Sequence, residues 1–413
     1  MVTLFRSRSF RLQWPADLLT SCAFEMETLI LGWYVLTETG SVLLLTLFGA
    51  LQYLGTLASP MFGVVGDRTS HRNLLCGMRA IYCALAGTLM ALAFVGTLTP
   101  ALVCIIATAM GLVRPSDLGV RQALIADYVP AHELTAAMAI SRTTSDFARV
   151  GGALAGAGMF AAFGIGPAYI AVVACYAIGL LLTIGIPASI APKCTADANV
   201  TLLPRPSAWR DLKEGLAYVW SMPQVLAAML VAFLANLTAY PLTNGLLPYV
   251  AKSIYRIDQS GLGYLVASFA AGALAGSVFI TMFGRKFRPA RTMIVSTAAW
   301  YAILLAFAHV EDAALGMLVL MLAGFAQSIC MITLIVVVLR ATSDRLRGRV
   351  MGVRMLVIYS LPLGLLAAGA LIDLIGFAQT AMLYATLGLL LTLAIALRWH
   401  AALWPVQTPA NAR

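Results

Sequence analysis

The chain has 413 residues, of which 61% are hydrophobic and 11% are charged, and its formal net charge is +10. Soluble proteins average about 25% charged residues, so a mean hydropathy of +0.90 argues against a large soluble core and indicates a polytopic membrane protein. The positive charge recurs in short clusters between apolar runs and forms no single basic patch, which argues against nucleic-acid binding.

Twelve apolar runs along the chain are long enough to cross a bilayer, since a spanning helix needs about 20 apolar residues. Each run must be helical, because a helix satisfies its own backbone hydrogen bonds in lipid. The predicted fold class is therefore an all-α polytopic membrane protein. The predicted spans, in chain order, are 12–36, 41–62, 74–95, 99–121, 140–163, 167–190, 224–248, 261–283, 291–309, 313–339, 351–373 and 377–399.

The first span carries two acidic residues, Glu25 and Glu27, near its midpoint. A charge at the bilayer centre costs about 2.5–3.5 kcal/mol on insertion scales, so such residues indicate function. The two side chains point about 200° apart on a helix, and we expect one to face a cavity and the other to pack against a neighbouring span. A desolvated carboxylate can exchange protons near neutral pH. The alternative is a structural pair with an arginine of another helix.

The link between the second and third spans contains Gly63, Asp67, Arg68 and Arg72. This pattern resembles the G-x-x-x-D-R-x-x-R-R/K signature of major facilitator superfamily transporters, which falls between the same two spans. His71 stands where the family usually carries Arg or Lys. The resemblance implies twelve helices in two pseudo-symmetric six-helix bundles, and a link that controls conformational gating.

The fourth span carries Arg114 and Asp117 as candidate transport residues. The resemblance implies that the first and fourth spans both line a central cavity, so Arg114 could pair there with a first-span glutamate. An anionic substrate could then compete for Arg114, and a proton for the glutamate. The alternative is that Arg114 snorkels to the interface.

Two further motifs extend the resemblance through the first half of the chain. The run Arg121-Gln122-Ala123-Leu124, followed by Asp127, resembles the loop after the fourth span in macrolide-efflux and enterobactin-exporter-like members. In the fifth span, the run from Arg149 to Gly156 resembles the antiporter motif G-x-x-x-G-P-x-x-G-G without its proline. Small residues at this spacing also allow close helix packing. Packing alone explains these residues about as well as an antiporter motif does.

The longest segment between spans, 191–223, divides the predicted bundles. It is proline-rich and then amphipathic, with Leu212, Leu216 and Val219 on one helical face, so we expect a linker with a surface helix at the membrane interface. The predicted domains are an N-terminal six-helix bundle, this cytoplasmic linker and a C-terminal six-helix bundle, at residues 1–190, 191–223 and 224–413.

Polar residues in the second half form two further cavity candidates. Asn236, Tyr240 and Asn244 repeat at every fourth position of the seventh span, and Gln327 lies in the middle of the tenth. A polar stripe in an apolar helix either faces water or holds helices together. We expect the stripe to face the cavity, and we leave both readings open for Gln327.

The basic residues of the links fall on one side of the predicted membrane. Links after odd-numbered spans carry only Lys252 and Arg256. The even-numbered links carry Arg68, Arg72, His132, Lys193, Arg205, Arg210, Lys213, Arg285, Lys286, Arg288, Arg345, Arg347 and Arg349. The positive-inside rule then places both termini in the cytoplasm. The residues expected to take part in gating are Gly63, Asp67, Arg68, Arg72, Arg149, Arg345, Arg347 and Arg349.

The resemblance implies a secondary transporter of the bacterial inner membrane that works by alternating access as a monomer. It would export a small amphipathic compound, such as a drug or a siderophore-like molecule, in exchange for protons, with membrane lipid as its surroundings. The alternatives are a lipid or lysolipid flippase of the same fold and a non-transporting membrane receptor. The seven cysteines include no C-x-x-C pair, and no nucleotide-binding loop or nucleophile–base set is apparent, so we expect no cofactor, no metal and no enzyme activity.

Overall fold

The structure is a computed structural model that describes residues 7–56, 70–187, 208–284, 287–342 and 346–404. All regular structure in these ranges is helical. Nine helical segments of the described chain are long and apolar enough to cross a membrane. Two other long helices, Arg8–Thr39 and Ala131–Phe163, contain the charged residues of the first and fifth predicted spans. The all-α polytopic membrane class is therefore confirmed.

The chain divides into two compact units, which are described separately. Unit 1 comprises Met1–Leu203 and Gly245–Ala270, and unit 2 comprises Pro204–Asn244 and Ala271–Arg413. The predicted boundaries at residues 190 and 224 remain a prediction. The first six helices, all in unit 1, are α1 (Arg8–Thr39), α2 (Val42–Leu51), α3 (His71–Val95), α4 (Pro100–Tyr128), α5 (Ala131–Phe163) and α6 (Ile165–Ile184).

Local sequence signals account for the ends of these helices. Helix α1 ends at Gly40, whose φ of 64° is a left-handed conformation that glycine adopts without strain. The hydroxyl groups of Ser70 and Thr99 accept hydrogen bonds from backbone N–H groups in the first turns of α3 and α4. Helix α2 ends at Leu51 and α6 at Ile184, and residues 57–62 of the second predicted span and 188–190 of the sixth lie outside the described residues.

Small residues bring α1 close to its neighbours in unit 1. A Cβ atom on Gly152 of α5 would lie 2.8 Å from the Cys22 carbonyl oxygen, and one on Gly156 would lie 2.8 Å from the Met26 Cα. On the α6 side, a Cβ on Gly179 would lie 2.8 Å from the Thr20 hydroxyl oxygen. The glycines of the fifth span therefore allow close helix packing, as one reading of the motif requires.

The remaining helices begin with α7 after the undescribed segment 188–207. They are α7 (Ala208–Ser221), α8 (Pro223–Leu234), α9 (Gln259–Phe283), α10 (Pro289–Phe307), α11 (Ala313–Ala341), α12 (Arg347–Val357), α13 (Ser360–Ile375), α14 (Phe377–Arg398) and α15 (His400–Leu403). Helix α9 belongs to unit 1 as far as Ala270 and to unit 2 beyond it. The eleventh predicted span, 351–373, lies within one apolar segment long enough to cross a membrane, Arg349–Ile375, in which a turn at residues 358–359 joins α12 and α13.

A helix, α7, precedes the seventh span, and its expected position at the membrane interface stays a prediction. Val219 is buried, whereas Leu216 is exposed. One side of α7 packs on α12, where a Cβ on Gly215 would lie 2.8 Å from the Arg349 carbonyl oxygen. Val219 therefore contributes to the core of unit 2, and the two residues do not share one environment.

The seventh span widens beyond the end of α8. Residues Ala235–Ala239 and Pro241–Gly245 form π-helical turns, whose backbone hydrogen bonds join residues five apart. The four-residue spacing that predicted a single stripe of Asn236, Tyr240 and Asn244 assumed a regular α-helix. That assumption is wrong here, and wide turns of this kind occur frequently at functional sites.

Candidate ligand-binding cavity

Unit 1 encloses a cavity of about 220 Å³ that all six of its first helices line. Its lining is mixed. Aromatic and apolar groups such as Phe24, Phe48 and Met110 alternate with hydroxyl, amide and charged groups. Apolar walls with a few placed polar groups are typical of sites for small organic molecules. Five of the predicted site residues line this cavity, namely the transport candidates Glu25, Glu27, Arg114 and Asp117 and the gating candidate Arg149.

Glu27 is a buried acidic group of α1 that lines the cavity, and it is only 5% exposed. Two tyrosines of α6 donate hydrogen bonds to its carboxyl group. The Tyr176 hydroxyl lies 3.0 Å from Oε2, and the Tyr169 hydroxyl lies 3.4 Å from Oε1. The expectation that only one glutamate would face the cavity is wrong, because both line it. A cavity that reaches several sides of α1 accommodates two side chains that point apart.

Glu25 faces α5 and pairs there with Arg149. The Arg149 Nε lies 3.6 Å from the Glu25 Oε1, and both side chains are partly exposed. A second loose pair lies on α5 itself, where the Arg142 Nε is 3.7 Å from the Asp146 Oδ2. Both pairs line the cavity and combine long separations with access to solvent, so a charged ligand can compete with them at modest cost.

Arg114 reaches into the cavity from α4, but it does not form the expected ion pair with a first-span glutamate. Its Nη1 donates hydrogen bonds to the Gln52 Oε1 at 2.7 Å and to the Thr28 hydroxyl at 3.5 Å. Its Nη2 is buried and has no hydrogen-bond partner among the described residues. Gln52 at the end of α2 supplies the nearer acceptor, and no carboxylate of a described residue lies within 4 Å of the Arg114 guanidinium group.

A buried network of four charged residues continues from the cavity into unit 1. The Arg121 Nη2 donates to the Asp117 Oδ2 at 2.6 Å, and the Arg121 Nε lies 3.4 Å from the Asp17 Oδ1. Arg79 of α3 completes the network by an ion pair with Asp17. All four side chains are at least nine-tenths buried. Two arginines thus balance two aspartates, as buried charges require.

Of these four residues, only Asp117 was a predicted site residue. Arg79 lies inside the third predicted span and Asp17 inside the first, so both break the same rule that drew attention to Glu25 and Glu27. Arg121 was read only as part of a family motif. Asp17, Arg79 and Arg121 are all charged residues within predicted spans, and the cost of such charges is the signal in the sequence that points to them.

The candidates in the second half of the chain lie in unit 2. The Gln327 Nε2 donates a hydrogen bond to the Tyr240 hydroxyl at 2.6 Å, and the Tyr240 ring stands edge-on to Trp300 with centroids 5.4 Å apart. The Asn236 Nδ2 donates to the Ala232 carbonyl oxygen one turn earlier, and Asn244 is half-buried. Gln327 and Tyr240 therefore form one polar contact between helices.

Some of the residues expected to take part in gating can be placed. Arg72 donates a hydrogen bond to the Ile184 carbonyl oxygen at the end of α6. Arg349 pairs with Glu214 of α7. Next to the family signature, the His71 Nδ1 lies 2.7 Å from the Asp127 Oδ2. Gly63, Asp67, Arg68 and Arg345, together with the side chain of Arg347, lie outside the described residues.

A family model, a curated relative and solved structures all resemble this chain. The family model of the Major Facilitator Superfamily matches residues 16–361 and 229–411. Macrolide efflux protein A of Streptococcus pyogenes is 22% identical over 269 residues, which are 65% of this chain. The match spans 64% of the length of that curated relative.

Similar solved structures include several transporters. The POT family transporter PepTSo superposes with a TM-score of 0.73 and 13% identity, over 96% of this chain and 98% of that chain. The nucleoside transporter NupG gives 0.69 and 16%, over 96% and 99%. A D-xylose-proton symporter gives 0.69 and 13%, over 94% and 97%. At these identities, the likeness concerns the fold alone.

Proposed function

The chain belongs to the Major Facilitator Superfamily, and from that premise we propose that it exports a small amphipathic compound by alternating access, driven by protons. The cavity of unit 1 would hold the compound, and Glu27 would carry the proton. Export is favoured by the relative named for macrolide efflux. The basic links favour both termini in the cytoplasm, and the resemblance to bacterial exporters favours the bacterial inner membrane.

The observation that carries this proposal is the isolation of Glu27 among the acidic groups of the cavity. Glu25, Asp117 and Asp146 each have an arginine within 4 Å. Glu27 has only hydroxyl donors as hydrogen-bond partners among the described residues. A buried carboxylate without a counter-ion is costly, so binding and release of a proton there is the change of charge that the site tolerates best.

The rest of the cavity supplies groups for a substrate. The aromatic side chains Phe24 and Phe48 offer apolar surface, and Arg114 offers a cation whose hydrogen bonds to described residues go to the neutral side chains of Gln52 and Thr28. The loose pair of Glu25 and Arg149 offers one charge of each sign. Antiport then requires that substrate and proton exclude each other, because only unfavourable coupling between the two binding events makes one drive the other.

The test uses purified protein in proteoliposomes with an imposed pH gradient, with dyes, macrolides and catecholate siderophores as substrates. We expect Glu27→Gln to abolish uphill, proton-driven transport while downhill exchange of substrate continues. Glu38→Gln is the matched control, since Glu38 lies on the same helix and is exposed. Wild-type uphill transport by Glu27→Gln would contradict the assignment of the proton to Glu27.

A further inference from the structure

We infer that Tyr176 and Tyr169 are positioning residues that set the pH at which Glu27 releases its proton. This inference rests on the proposed function, since it assumes that Glu27 is the proton carrier. Neither tyrosine was singled out in the sequence, where both lie inside the apolar sixth span.

The geometry assigns one tyrosine to each oxygen of the carboxyl group. Tyr176 donates to Oε2 at 3.0 Å and Tyr169 to Oε1 at 3.4 Å. The two tyrosines lie seven residues apart on α6, so they project from one face of that helix. They are 2% and 0% exposed, respectively. Both hydroxyl groups are therefore shielded from bulk water, although Tyr176 also lines the cavity.

The direction of the effect follows from hydrogen-bond chemistry. An ionised carboxylate accepts at both oxygens, whereas a protonated carboxyl group uses one oxygen as a donor. Two O–H donors therefore stabilise the ionised form of Glu27 more than its protonated form. Removing one donor makes the proton harder to release, and transport that requires this release then needs a higher pH.

Other charged and titratable groups around Glu27 come from α1, α3, α4 and α5. Arg114 of α4 lines the same cavity and hydrogen-bonds to Gln52. Glu25, on the opposite side of α1, is held by Arg149 of α5. Tyr82 of α3 packs on Tyr176 with ring centroids 5.7 Å apart, and α2 contains no titratable side chain. Replacing a tyrosine of α6 by phenylalanine leaves all of these charges in place.

Tyr82 supplies the matched control. It is buried like the other two tyrosines, but its hydroxyl makes no hydrogen bond to any described residue. Tyr82→Phe thus removes a hydroxyl group from the same aromatic cluster without changing the hydrogen bonds of Glu27. Any effect common to all three variants would report on packing and not on the carboxyl group.

The experiment measures the pH dependence of proton-driven transport in proteoliposomes for the full-length wild type and the three phenylalanine variants. The midpoint is expected to move to higher pH by about one unit in Tyr176→Phe, which loses one hydrogen bond to a charged group. The shift should be smaller in Tyr169→Phe, whose bond is longer, and absent in Tyr82→Phe. Infrared detection of the protonated carboxyl band, identified by its loss in Glu27→Gln, should show the same order.

The failures of the two proposals can be told apart. If Glu27→Gln stops uphill transport but Tyr176→Phe and Tyr169→Phe keep the wild-type midpoint, the tyrosine assignment is wrong and the proton carrier stands. If Glu27→Gln still transports uphill, the proposed function fails first. Should Tyr176→Phe not accumulate as folded protein, the Tyr169→Phe midpoint decides in the same way.

Discussion

Removing Arg79 should destabilise unit 1 strongly, because this side chain has no access to solvent and serves three acceptors. Its guanidinium group pairs with Asp17, donates to the Thr183 hydroxyl and lies 3.2 Å from the Gly179 carbonyl oxygen. In Arg79→Gln, the Arg121 Nε at 3.4 Å is the one cationic group of the described residues that remains within 4 Å of the Asp17 carboxylate. Breaking a buried pair by removing one partner costs about 3–5 kcal/mol.

The double variant separates the value of the pair from the cost of an orphaned charge. With Asp17→Asn added to Arg79→Gln, no unbalanced charge remains between these two positions. We therefore expect the loss in the double variant to fall short of the sum of the single losses by about 1–3 kcal/mol. Chemical or thermal unfolding in detergent measures all three variants against the wild type.

The exposed pair on α5 provides the control for this experiment. The Arg142 side chain is 72% exposed and its Nε lies 3.7 Å from the Asp146 Oδ2. Such a pair contributes at most about 1 kcal/mol, so Arg142→Gln should change stability little. Strict additivity of Asp17→Asn and Arg79→Gln, or an equal loss in Arg142→Gln, would refute the account of the buried network.

Three further outcomes are expected. Gly152→Leu should lower the unfolding free energy by about 1–3 kcal/mol, because the added side chain overpacks against α1. Gly158→Leu is the control and should not lower it, since the space around its Cβ position is open. Equal Tm values for the two variants would contradict the close contact at Gly152. Gln327→Leu should cost about 1–3 kcal/mol by removing the donor to the Tyr240 hydroxyl, and a Tm at the wild-type value would argue against that bond. Asp67→Asn, in the family signature, should slow turnover while equilibrium substrate binding is unchanged, and unaltered turnover would speak against a gating role.

Much of the fold could be predicted from the sequence because lipid imposes simple rules. Long apolar runs must be helices. A glycine such as Gly40 marks the end of a helix, because it adopts the left-handed conformation found there. The rules fail where local backbone geometry changes. Nothing between Ala235 and Gly245, apart from Pro241, announces two π-helical turns. The turn at residues 358–359 of the eleventh span has one signal in the sequence, Pro362, which has no backbone N–H to donate to the carbonyl group of residue 358.

The candidate site was predictable in its charged members and not in their partners. Glu27 stood out because charge inside a span is costly, but tyrosines are ordinary in apolar helices, so Tyr176 gave no signal. The pair of Glu25 and Arg149 joins residues far apart in the chain, and such contacts depend on helix packing. For Arg114, opposite charges predicted a glutamate of the first span as the partner. The structure instead gives a hydrogen bond to Gln52 at 2.7 Å.

Helix α1 presents three acidic side chains to three different neighbours. Asp17 binds Arg79 of α3, Glu25 binds Arg149 of α5, and Glu27 binds the tyrosines of α6. Inserting a single alanine before Asp17 would rotate the preceding part of the helix by about 100° and spare these contacts, whereas one inserted between Asp17 and Glu25 would put the two ends of α1 out of phase. Contacts on three sides therefore fix the rotation of α1 about its own axis. Any change in that rotation breaks the contact with at least one neighbouring helix.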